Sequence, residues 1–112
     1  MDPERVSPDF LEAYSECCRR IVSGAERPYD VALELRNVIA DPSELPKLPG
    51  AVYIMWAELG DVCALGDDRA CRHAEELMQE AASEFLALED AGSELAGWSE
   101  AWLKRMAADE AL

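Results

Sequence analysis

Ala70, Ala74, Leu77, Met78, Ala81, Phe85 and Leu88 recur every three or four positions. At 100° per residue they fall within one sector of about 100°, the pattern of a helix with a single apolar face. A strand cannot use that period, because it would throw successive members to opposite sides. Gly66, Asp67 and Asp68 precede the stripe and supply a turn and an N-cap, with carboxylates suited to the positive end of a helix. Such a stripe has to be covered by other elements.

Proline and glycine mark where those elements begin and end. Ser7 and Pro8 offer a cap and a first-turn proline, after which Phe10, Leu11, Tyr14, Cys17, Cys18, Ile21 and Val22 repeat at helical spacing until Gly24; the pattern predicts a helix over 8–22. Pro28 opens a second helix, with Val31, Leu35, Val38 and Ile39 as its stripe, and it must end near Ala40 because Pro42 restricts Asp41. Pro42, Pro46 and Pro49 make 41–50 a rigid surface loop. Residues 51–65 carry Val52, Met55, Trp56, Leu59, Val62 and Cys63 on one side and Ile54 and Leu65 on the other, which predicts a central helix. Val52, Tyr53 and Ile54 alone would also suit a strand, but a single strand has no partner. Asp90, Ala91, Gly92 and Ser93 end the fourth helix, and Ser93 caps a fifth through Leu95, Trp98, Trp102 and Met106. Residues 1–6 and 109–112 are expected to fray. The expectation is an all-α fold, an irregular or orthogonal bundle of about five helices forming one domain over 1–112.

Charge narrows the choice of partners. The chain holds 24 acidic against 10 basic residues, a net −14 at pH 7. The surplus is uneven: 10 acids and 6 bases in residues 1–50 leave −4, whereas 14 acids and 4 bases in 51–112 leave −10. No Lys or Arg stands between Arg72 and Lys104. Direct binding to nucleic acid or to an anionic membrane needs clustered cations and is disfavoured. A field of this sign attracts basic proteins. No apolar run reaches the roughly 18 to 20 residues of a membrane span, and Met1-Asp2-Pro3-Glu4-Arg5 is too acidic for a signal peptide, so the expected location is the cytoplasm.

The residues that usually carry chemistry are sparse. Cys17, Cys18, Cys63 and Cys71 lack zinc-ligand spacing and read as buried reduced thiols; a Cys63–Cys71 bridge across the turn, or a metal held by Cys63, Cys71 and His73, are the alternatives. His73 is the one histidine, with Glu76 and Glu80 at helical spacing to hold it. Phosphate-binding loops, dinucleotide fingerprints and nucleophile elbows are absent from the sequence. Neither a catalytic residue nor a cofactor is assigned.

Glu76, Glu80 and Glu84 sit at i, i+4 and i+8, with no Lys or Arg at helical spacing from Glu80 or Glu84. Like charges so placed cost about 0.2 to 0.5 kcal/mol per pair, and a basic partner would relieve them. Trp98 and Trp102 share a face of the fifth helix, while Leu86 and Leu103 point away from the main stripes; the two readings are an association surface beyond what one core covers, or a compact five-helix core that absorbs them. The leading expectation is a small acidic helical module that docks a basic protein through Glu76, Glu80, Glu84, Trp98 and Trp102. An antitoxin, an immunity protein, an inhibitor that mimics nucleic acid or an adaptor would fit. Neutralisation of those glutamates by arginines of the same chain would remove this docking proposal.

Glu58-Leu59-Gly60-Asp61-Val62 resembles the Glu-x-x-Asp element of the all-α MazG-like nucleoside triphosphate pyrophosphohydrolases. The resemblance covers five residues. It implies a magnesium ion held by Glu58 and Asp61, with Asp67 or Asp68, for nucleotide hydrolysis. That family also has an upstream Glu-x-x-Glu helix, which Glu34 and Glu44 do not supply. A third reading is a homo-oligomer, such as a homodimer, with no catalytic function.

Overall fold

Pro8 and Pro28 open helices, and Gly24 and Gly66 lie between helices. The computed structural model describes residues 8–39, 50–110 and 112. They form five α-helices: α1 (Pro8–Ser23), α2 (Pro28–Ile39), α3 (Gly50–Leu65), α4 (Asp68–Leu86) and α5 (Ala91–Ala108). Among the described residues there is no strand, so Val52, Tyr53 and Ile54 belong to a helix. The expected proline loop, the side chains of Val38 and Ile39, and residues 1–6 lie outside the described residues. The α1 stop is a left-handed Gly24 at φ +74°, a conformation that a side chain would strain. Asp67 caps α4 by accepting from the Ala70 N–H at 2.8 Å.

α5 starts three residues earlier than expected. Asp90 occupies its N-cap position without a side-chain cap bond. Instead Glu94 reaches back to accept from the Asp90 N–H at 2.9 Å, and the Ser93 hydroxyl donates to the Asp90 carbonyl at 3.2 Å. Ser93 therefore lies inside the first turn. A side chain one turn in can satisfy an orphan N–H as well as a cap residue can.

An aromatic cluster fastens α1, α3 and α4 together. Trp56 is fully buried and its indole N–H donates to the Tyr14 hydroxyl; the Tyr14 ring lies 4.3 Å from Phe85 and 5.7 Å from Phe10. Burial holds the Tyr14 phenol well above its usual pKa. Around it pack Ile21, Val31, Leu35, Val52, Met55, Leu59, Met78 and Leu95. α4 shares packing with each of the other four helices. Ser99, the buried polar side chain of the described core, donates to the Leu95 carbonyl at 2.8 Å, so it costs no unmade bond.

The expectation of a helix buried on both sides is corrected at α3. Val52, Met55, Trp56 and Leu59 on its inner face are fully buried, but Tyr53, Ile54 and Leu65 are 39%, 44% and 86% exposed. At the chain's end, where fraying is expected, His73 Nε2 lies 2.8 Å from Asp109 Oδ2 and Leu112 packs against the core. No helix among the described residues is long and apolar enough to cross a membrane.

Candidate functional site

Going along α4, the carboxylates at i, i+4 and i+8 drift about 40° per step, so the ridge winds towards α5. Glu76 stays in solvent with no partner among the described residues. Glu80 and Glu84 meet α5. There Trp98, Trp102 and Arg105 follow at i, i+4 and i+7 and face them.

Four of the five expected binding residues therefore converge, though on each other. Glu84 Oε1 accepts from the Trp102 indole at 3.0 Å and from the Trp98 indole at 3.4 Å. Arg105 donates through both terminal nitrogens to Glu80, each at 2.8 Å, and reaches Glu84 at 3.9 Å. Its guanidinium also lies 4.4 Å from the centre of the Trp102 ring, a cation–π distance. Arg105 pulls the Glu80 carboxyl below its usual pKa. Trp102 is buried and belongs to the core, while Trp98 is half-buried with its ring 5.7 Å from Phe85. A shallow groove of about 120 Å³ remains between them.

This overturns the reason for assigning the ridge to a partner. The repulsion between Glu80 and Glu84 is relieved from within, by an arginine of the adjacent helix and by two indole N–H groups. The pairing crosses helices, which spacing along α4 alone does not reveal. The Trp102-x-x-Arg105 spacing was the available signal, because it puts a cation and an aromatic face on one side of α5.

His73 likewise finds its acid elsewhere: Asp109 replaces the expected Glu76 and Glu80. Cys63 and Cys71 do meet across the α3–α4 turn. The Cys63 thiol donates to the Cys71 carbonyl at 3.4 Å, and burial, with the Cys71 thiol adjoining, pushes its pKa up to about 12. Cys71 Sγ accepts from Arg27 at 3.2 Å, and Arg27 also donates to Glu75 at 2.9 Å. The same Glu75 carboxylate accepts the Tyr29 N–H at 3.2 Å, tying the start of α2 to α4. All four thiols are free, and Cys17, Cys18 and Cys71 are buried.

Glu58 and Asp61 lie one turn apart on α3. They border a groove of about 440 Å³ with Asp109, Val62, Met106 and Leu112. Asp61 has Arg36 at 3.9 Å, and Asp109 is engaged by His73. Among the described residues no three His, Cys, Asp or Glu side chains converge as a metal would need. Asp67 is occupied as the α4 cap.

One surface went unnoticed in the sequence. The outer side of α3 presents Tyr53, Ile54 and Leu65 to solvent, and Leu33 of α2, 41% exposed, faces Tyr53 across a groove of about 330 Å³ lined also by Arg36 and Asn37. The sequence signal is the apolar residues on both sides of α3, of which neighbouring helices cover one side. Set beside known proteins, the chain matches no family model, no curated protein and no solved structure.

Proposed function

We propose that this chain is a non-catalytic acidic module that binds a basic protein. The observation that carries it is the charge left after the internal pairs are made. Arg19, Arg20, Arg27, Arg36 and Arg105 are engaged by Glu16, Glu26 with Glu34, Glu75, Asp61 and Glu80 respectively. Glu12, Glu58, Asp68, Glu76, Glu89, Glu100 and Glu110 keep no cation among the described residues, against Arg69, Arg72 and Lys104 as the cations left over. An exposed surplus of this size steers a partner of opposite sign and makes attachment depend on salt.

The test is capture from the native host by the full chain, with identification of what is retained. A Lys- and Arg-rich protein held at low salt and released as salt rises is the expected result. A partner that is itself acidic, or one held equally at low and high salt, overturns the reading.

A further inference from the structure

The structure carries the proposal to a surface. We infer that the outer face of α3 docks a basic amphipathic helix of the partner; this rests on the basic-partner reading and assigns it a place. Ile54, Glu58, Asp61 and Leu65 follow at i, i+4, i+7 and i+11, on the side of α3 opposite the buried Trp56. The stripe reads apolar, acid, acid, apolar along about 16 Å of helix. Tyr53, Ile54 and Leu65 make up half of the exposed large apolar side chains among the described residues, the others being Val22, Leu33 and Leu86. Leu33 lies next to Tyr53 across a groove and extends the apolar surface at that end of the helix. Scattered exposed leucines mean nothing, but apolar side chains gathered on one helix face mark a binding surface. Ala57, half-buried, and Ala64, exposed, lie beside the stripe and leave room for a second backbone to approach at helix–helix distance.

The charges decide the occupant. Glu58 is exposed without a cation among the described residues, and Asp61, with its side chain 60% exposed, has only Arg36 at 3.9 Å. A second copy packed through this face by a two-fold axis would bring Glu58 and Asp61 towards their own counterparts, between two chains of −14 each. A helix with apolar residues across from Ile54 and Leu65 and Lys or Arg across from Glu58 and Asp61 satisfies all four positions. Three turns are a small footprint, well under the roughly 800 Å² per partner of a standard interface, so this contact is weak, quick to release and screened by salt.

The probe is a synthetic helical peptide with leucine on one face and lysine on its flanks, titrated into the isotope-labelled full chain and followed by amide chemical shifts. A peptide with glutamate in place of lysine and a scrambled lysine peptide are the controls. The expected result is shifts concentrated on Leu33, Tyr53, Ile54, Ala57, Ala64 and Leu65, with affinity falling at least about threefold as salt rises from 50 to 500 mM. An Ile54→Glu/Leu65→Glu variant should lose at least about tenfold in affinity with an unchanged melting curve, and Glu58→Lys/Asp61→Lys should turn the preference to the glutamate peptide. Shifts centred on Glu76, Glu89 or Glu100 would remove α3 while leaving the basic-partner reading standing, whereas an acidic partner in the capture experiment would remove that reading itself. Equal binding of the scrambled peptide, or none at millimolar concentration, overturns the proposal. So does a concentration-dependent dimer that Ile54→Glu abolishes, which gives the face to a second copy. A gain in peptide affinity on replacing residues 41–48 by glycine and serine gives it to the chain's own proline segment.

Discussion

Trp56 ties α3 to α1 through one side chain. It fills the interior of α3, its ring stands at 77° to Tyr14 on α1, and its N–H gives the Tyr14 hydroxyl the donor that burial would otherwise deny it. Trp56→Ala should cost about 3 to 5 kcal/mol, a large part of the roughly 5 to 15 kcal/mol available to a domain. Trp98→Ala, at a half-buried position, should cost less than half as much, and urea denaturation of the two variants checks the ratio. This contrast was legible from the stripe positions alone. For Trp102 the 20° between its direction and that of Leu95 marks a core residue, whereas its acceptor Glu84, at 3.0 Å, comes from another helix. The sequence places an indole on a face and leaves the identity of its acceptor to the packing.

Helix periods, stops and caps were local, and the helices followed them. Pro8, Gly24, Pro28 and Asp67 each act within a turn of themselves, so their effect does not wait for tertiary structure. Asp67→Ala removes the acceptor of the Ala70 N–H and should destabilise the protein by about 1 kcal/mol; Asp67→Asn should retain most of that, which thermal melts of the pair will show. The start of α5 escaped because Glu94 acts from inside the helix. The outer face of α3 escaped for a different reason: an apolar position tells that burial is favourable, and only the arrangement of neighbours tells whether anything is there to bury it.

Two sets of titrating groups bracket the stability of the whole molecule. Arg20 and Arg105 lower the pKa of Glu26 and Glu80, so these pairs add stability above the normal glutamate pKa of about 4.3 and lose it as pH falls through the lower folded values. Exposure keeps that loss small. Burial raises the Tyr14 phenol and the Cys18 thiol, so their contribution is complete below about pH 8.5 and is lost as pH rises, because the unfolded chain ionises first. Denaturant midpoints should stay flat from about pH 5 to 8 and fall more steeply on the alkaline side; Cys18→Ala should blunt that fall, and a midpoint that rises above pH 9 would contradict it. Arg105 has a separate consequence. α5 is anchored to α3 by apolar packing, whereas its main tie to α4 beside the indoles is a guanidinium spent on three neighbours at once. Lysine has neither the paired N–H edge nor the flat face to replace it. That makes the fifth helix a leaf with a greasy spine and an ionic clasp, so added electrolyte acts on the clasp and leaves the spine alone.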